Sequence, residues 1–182
     1  MINNASEMVV LVDAHDNQLG LEEKIRAHEQ GLLHRAFSVF IFRNSGDTPE
    51  LLLQQRNINK YHCGGLWTNT CCSHPRTGEE IVNAGERRLQ EEMGFYAKLH
   101  HVGAFKYRAE FANGLIEHEF DHVLLGTYNG SELEFNPDEV QAYRWVSIAD
   151  LKLNLAAEPE NYTPWLAAAL AIVENKWSLI SC

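Results

Sequence analysis

The chain has 182 residues, a formal net charge of −10 at pH 7 and a hydrophobic fraction of 45%, which fits one packed globular domain. Such an acidic surface repels polyanions and excludes a general nucleic-acid or anionic-membrane binder, so a phosphate ligand must be drawn by a local basic cluster or a metal ion. Four cysteines are too few for a disulfide scaffold, and Cys63, Cys71 and Cys72 fall close together, which points to thiol or metal chemistry in a reducing compartment.

Met1–Glu7 is polar and lacks a basic leader region, and the longest apolar run, Trp165–Val173, is far short of the roughly 20 residues that span a bilayer. A soluble, cytoplasmic protein is expected. Met8–Val12 reads as a short strand closed by a turn over Asp13–Gly20, and Glu22–Glu29 as a short helix. His34–Arg43 is nearly continuous apolar and rich in aromatic and branched residues, the pattern of a strand buried on both faces. A turn at Asn44–Pro49 leads to its hairpin partner, Leu51–Gln55. Glu79–Met93 follows a helical period and stops at Gly94. Leu99–Glu110 and Leu115–Tyr128 form a second strand pair around Asn113–Gly114, and Val140–Val146 adds another strand. Ser147 caps a helix ending near Leu153, and Thr163 and Pro164 open the last helix, which runs to about Lys176. The sum is a single α/β domain with helices on both sides of a mixed sheet.

The densest chemistry is in Trp67–Pro75 (WTNTCCSHP). Cys72 and His74 are two apart, so on an extended segment they share a face and Cys71 takes the other. They form either a nucleophile, a proton donor or half of a metal site, or else a buried thiol beside a satisfied histidine. Nearby cations are expected to favour the Cys72 thiolate. In Glu117–Asp121 (EHEFD) the three acids share one strand face; they are a solvated edge or, in a strand that enters the core, a cation site. His28 and His34 are structural histidines or, together with His74, Glu117 and Glu119, would complete a mixed nitrogen and oxygen set suited to Zn2+, Mn2+ or a similar divalent ion. On the Glu79–Met93 helix, Ile81, Gly85 and Leu89 define the inward stripe, yet Arg88 and Glu92 fall inside its arc. They are an i,i+4 salt bridge on a wet face or part of a polar site beneath the sheet. Lys24, Arg56, Lys60, Arg87 and Arg88, if they converge, form a diphosphate pocket.

Two resemblances organise these residues. Ser73-x5-Glu79-x7-Arg87-Arg88-Leu89-x-Glu91-Glu92-x-Gly94-Phe95 resembles a Nudix box, with Ser73 in place of its opening glycine and Arg88 in place of one glutamate. GLLHRAFSVFIF at Gly31–Phe42, LLLQQR at Leu51–Arg56, WTNTCCSHP, KYRA at Lys106–Ala109 and EHEFD together resemble the type I isopentenyl diphosphate isomerases of that superfamily. The resemblance implies a Nudix-like mixed β-sheet sandwiched between helices, with a catalytic core over 32–167 and extensions at both ends of the single domain 1–182. It implies interconversion of isopentenyl and dimethylallyl diphosphate by protonation and deprotonation, with Cys72 and Glu119 as proton-transfer groups, Tyr107 assisting Glu119 and Trp165 facing a carbocation. Lys24, Arg56, Lys60, Ser73 and Arg88 would hold the diphosphate, and Glu92 a Mg2+ that bridges it. His28, His34, His74, Glu117 and Glu119 would hold Mn2+ or Zn2+; no flavin or nicotinamide, nucleic acid or membrane span is implied, and the chain would act as monomer or homodimer. The competing readings are a Nudix pyrophosphohydrolase, favoured by Glu91 and Glu92 and opposed by Arg88, and a metal-binding module without catalysis.

Overall fold

The computed structural model describes residues 7–45, 48–130 and 132–176. Residues 1–6 of the polar N-terminal stretch, the tip of the Asn44–Pro49 turn and Cys182 therefore lie outside the described residues. The elements run β1 (Met8–Val12), β2 (Gln18–Glu23), α1 (Lys24–Gln30), β3 (His34–Ser45), β4 (Thr48–Arg56), β5 (Trp67–Thr68), β6 (Cys71–Ser73) and α2 (Ile81–Met93). They continue with β7 (Leu99–Glu110), β8 (Ile116–Thr127), β9 (Val140–Ser147), α3 (Ile148–Ala157), a 3-10 turn (Pro159–Asn161) and α4 (Leu166–Glu174).

The apolar run from His34 becomes the axis of a mixed sheet. β3 pairs in parallel with β8 and antiparallel with β1, β4 and β6, while β7 extends β8 and β9 extends β4. Because successive side chains alternate faces, Phe37, Val39 and Ile41 pack with Ala84, Leu89 and Met93 of α2. Phe40 and Phe42 point to the opposite core with Leu151 of α3 and Leu166 and Leu170 of α4. A sheet buried on both faces needs such runs, and the sandwich follows.

α2 lies close on the sheet at Gly85. A Cβ there would meet Leu124 Cδ1 at 2.4 Å and Leu99 Cδ1 at 2.9 Å. Gly85→Ala is expected to destabilise the fold by about 1–3 kcal/mol, the usual cost of overpacking, despite alanine's better helix propensity. Urea unfolding checks this; a stabilised variant would show that the helix can lift without loss.

Several boundaries differ from the sequence pattern, those of α1 and α4 for a tertiary reason; the expected turn over Asp13–Gly20 gives way at Gln18 to β2, and α2 starts at Ile81 rather than Glu79. α1 starts at Lys24, not Glu22, because Glu22 and Glu23 are still paired with Val9 and Met8 in the β1–β2 ladder. α3 runs on to Ala157, with the expected Ser147 Oγ accepting from the Asp150 N–H at 3.0 Å. α4 begins at Leu166 rather than at Thr163–Pro164. The Thr163 hydroxyl, expected as a cap, is instead paired with Thr68 Oγ1 at 2.8 Å, and its N–H donates to the Trp67 carbonyl. That pinning ties the segment before α4 to β5 and turns Trp165 inward. Among the described residues no helix is long and apolar enough to cross a membrane.

Candidate active site

Strand register assembles the site. His34 lies opposite Glu119 across β3–β8, Glu119 opposite Tyr107 across β7–β8, and Ser38 opposite Cys72 across β3–β6. Glu117, Glu119 and Asp121 share the buried face of β8, as alternation requires. Asp121 is drawn aside by the Ser38 hydroxyl, which donates to it at 2.7 Å.

The histidines converge, two of them with their tautomers set. His28 Nδ1 donates to the Lys24 carbonyl at 2.6 Å and His34 Nδ1 to the Leu32 carbonyl at 2.8 Å. A carbonyl only accepts, so each neutral ring carries its lone pair on Nε2. His28 Nε2 and Glu117 Oε2 are buried without a hydrogen-bond partner among the described residues. His34 Nε2 lies 3.2 Å from His74 Nε2, which in turn is 3.0 Å from Glu119 Oε1. The ligand atoms of His28, His34, His74 and Glu119 all lie within 4.8 Å of one another, and Glu117 joins through His28. Inward lone pairs and orphaned buried atoms fit a divalent cation.

The charges agree with that fit. Burial lowers the His28 and His74 imidazoles, His74 to about 4, so both stay in the ligating neutral form. Burial and the neighbouring Glu119 push Glu117 well above the usual carboxylate range. Burial also opposes ionisation of Glu119, yet it is held well below that range.

Beside this cluster is an inner cavity of about 50 Å³, lined by Cys72, His74, Glu119, Tyr107, Trp165 and Arg56. Tyr107 donates to Glu119 Oε2 at 2.5 Å, and burial raises the phenol so that it stays protonated. Trp165 donates from Nε1 to Asn69 Oδ1 at 3.2 Å and stacks its ring 5.6 Å from the Arg56 guanidinium. Cys71 is in the α2-side core and Cys72 in the cavity, as alternation predicts. The expected Cys72 thiolate is corrected. Burial pushes the thiol up to about 12, although Arg56, whose Nη1 is 3.4 Å from Sγ, pulls the other way. Desolvating a full negative charge outweighs one guanidinium, so the resting group is a thiol.

The inner cavity shares Lys24, Lys60, Ser73 and Arg88 with a cleft of about 650 Å³ whose walls also include Arg87. These scattered cations therefore do converge, with Arg56 at the inner end. Each of the four in the cleft already has an acidic partner. Lys24 pairs with Glu7 at 2.9 Å, Lys60 with Glu139, and Arg87 bridges Glu79 and Glu91. Arg88 binds Glu91 at 2.8 Å and also contacts Glu92 and Glu139. The i,i+4 pair of Arg88 and Glu92 thus forms, but over a buried Glu92 rather than on a wet face. Glu92 sits behind Arg88, its other oxygen accepting from Gln54 at 2.9 Å, apart from the histidine cluster.

Sequence reasoning passed over His62. It stands in the loop between β4 and β5, with Nε2 in contact with Glu117 Oε1 and Nδ1 receiving an Arg56 N–H at 3.3 Å. Its signal was faint: one histidine two positions after Lys60, with no periodic neighbour.

Residues 32–166 match the family model of the NUDIX domain. Isopentenyl-diphosphate Delta-isomerase of Photobacterium profundum is 53% identical to this chain, with 94% of this chain and 97% of that protein covered. The chain belongs to the type I isopentenyl-diphosphate isomerase family within the Nudix superfamily. A second family member, from Serratia proteamaculans, is 51% identical over 87% of each chain. A crystal structure from Deinococcus radiodurans shares the fold with a TM-score of 0.72 at 20% identity, covering 91% of this chain and 98% of that one. In this isomerase-family chain, Arg88 stands at a glutamate position of the Nudix box, where it covers Glu92 instead of adding a carboxylate to it.

Proposed function

We propose that this chain interconverts isopentenyl diphosphate and dimethylallyl diphosphate, in isoprenoid biosynthesis. The observation that carries the reading is one cavity lined by both the Cys72 thiol and the Glu119 carboxylate, with a cationic cleft leading to it. An unactivated alkene is a weak base, so its protonation needs a dry pocket and a tertiary carbocation-like intermediate shielded from nucleophiles.

Toward dimethylallyl diphosphate, the Cys72 thiol gives its proton to the terminal alkene carbon. The thiolate left behind is compensated by Arg56. Glu119 then takes a proton from the methylene beside the cationic carbon and becomes a carboxylic acid. Both groups regain their resting states by proton exchange with solvent, and the reverse reaction uses them in opposite roles. Tyr107 orients Glu119 through its hydroxyl, and the Trp165 ring stabilises the cation. Lys24, Arg56, Lys60, Ser73 and Arg88 bind the diphosphate, whose oxygens would replace the acids that now hold Lys24, Lys60 and Arg88.

His28, His34, His74, Glu117 and Glu119 would hold Mn2+ or Zn2+; Glu92 would hold a Mg2+ shared with the diphosphate only once Arg88 and Gln54, which now occupy its two oxygens, give them up. Such ions supply fixed positive charge that orients carboxylates and neutralises phosphate oxygens. A reducing, cytoplasmic setting suits the free Cys72 thiol, and the chain would act there as monomer or homodimer. Lys24 and His28 precede the core of 32–167, so the N-terminal extension belongs to the functional unit.

Proton NMR of isopentenyl diphosphate with metal-loaded protein in deuterated buffer tests this reading. Deuterium is expected in the product methyl group. Phosphate release without alkene transposition would replace the reading with that of a pyrophosphohydrolase. Arg88→Glu, which restores the Nudix pattern, is expected to raise KM strongly and not to produce a fast hydrolase. It would set a fourth carboxylate among Glu91, Glu92 and Glu139, where the substrate brings more negative charge. Steady-state assays of isomerisation and phosphate release check it; new hydrolysis with isomerisation retained would count against the pocket.

A further inference from the structure

His62 has no role in the chemistry above, yet it is buried between two residues that do. Its loop leaves β4 at Arg56 and returns at Leu66, closed by Arg56 N–H to the Leu66 carbonyl at 2.9 Å and Gly65 N–H to the Arg56 carbonyl at 3.0 Å. Cys63 follows His62 with φ +50, a left-handed conformation uncommon outside glycine, at the point where the loop turns back. We propose that His62 is a positioning residue for the metal carboxylate Glu117, tied at its other end to Arg56; this rests on the metal reading above.

The ring's protonation follows from its partners. A guanidinium can only donate, so the Arg56 Nη2 hydrogen bond at 3.3 Å requires the lone pair of His62 on Nδ1. The ring proton is then on Nε2, in contact with Glu117 Oε1. A protonated Nε2 offers no lone pair, so His62 is not itself a ligand, although its Nε2 lies within 4.8 Å of the ligand atoms of His28 and Glu117. Held by Oε1, Glu117 leaves Oε2 as the orphaned oxygen for a cation. Arg56 also reaches Cys72 through Nη1. One guanidinium therefore links the thiol side of the cavity to the metal side through a single imidazole.

The test is manganese binding by the metal-stripped full chain, followed by EPR, with substrate absent. His62→Ala and His62→Asn are expected to weaken manganese binding about 10- to 100-fold, the usual effect of losing an outer partner of a ligand. His62→Gln, whose amide N–H reaches the place of Nε2, is expected to stay within about threefold of wild type because it still donates to Glu117. Pulsed EPR with 15N-labelled histidine should give the same imidazole couplings in wild type and His62→Gln. Wild-type affinity in both His62→Ala and His62→Asn would overturn the proposal. So would loss of an imidazole coupling in His62→Gln, which would make His62 a direct ligand. A wild-type chain that takes up no manganese would remove the metal reading and this role together, while the deuterium experiment would still stand on its own.

Discussion

Glu119→Gln is expected to keep the fold and lower turnover by about 10²- to 10⁴-fold, the range of a lost general acid or base. The amide is nearly isosteric, so the packing around β8 and the hydrogen bond from Tyr107 can persist. What it cannot do is accept the methylene proton. It also puts a neutral group where Oε1 faces His34 and His74 at 3.6 and 3.0 Å, which weakens the cluster for any cation. Two effects therefore act in the same direction, and they can be separated. Turnover measured at saturating metal isolates the proton-transfer loss, and manganese titration reports the ligand loss. Thermal unfolding close to wild type would confirm that the fold is kept. Turnover within about tenfold of wild type at saturating metal, below the usual acid–base contribution, would mean that Glu119 is not the base.

The parts of this fold that were legible in the sequence are those governed by local periodicity. His34–Arg43 has the pattern expected of a doubly buried strand, and Gly94, at φ +76, stops α2 where the helical period ends. The faces of EHEFD and of Cys71–Cys72 followed from two-residue alternation, because both segments are extended. Local pattern failed where a side chain had a stronger distant partner. Thr163 has the composition of a helix cap, but β5 takes its hydroxyl, and no window around Thr163 contains Thr68. The same limit hid the convergence of Arg56 and Lys60 with Lys24 and Arg88, which depends on a loop folding over the end of the sheet. His62 belongs to that loop and was invisible for the same reason. The protonation of Cys72 depends on its packing as well as on its neighbours: a sequence shows the cations, and only the fold shows the desolvation that outweighs them.

Cys72→Ala is expected to abolish isomerisation while leaving stability near wild type, and Cys71→Ala to do the reverse. The two sulfurs are adjacent in sequence, but β6 turns them to opposite faces. Cys72 lines the inner cavity beside Arg56, so removing its sulfur enlarges a polar space that already exists and leaves no new void in the core. It does remove the only donor proposed for the terminal alkene carbon. Cys71 is packed among Phe37, Val39, Leu89 and Leu124 and behaves there as a small apolar side chain. Its truncation should cost about 1 kcal/mol of unfolding free energy, at the low end of core truncations because a single sulfur leaves a small cavity. Since the resting Cys72 is a thiol, general alkylating reagents should label it slowly despite its place in the cavity. An epoxide or cation-mimicking analogue of the substrate, carried in by the diphosphate site, should label it much faster, and peptide mass mapping would locate the adduct. An adduct on Cys71, or an active Cys72→Ala variant, would overturn both the β6 register and the acid role assigned to Cys72.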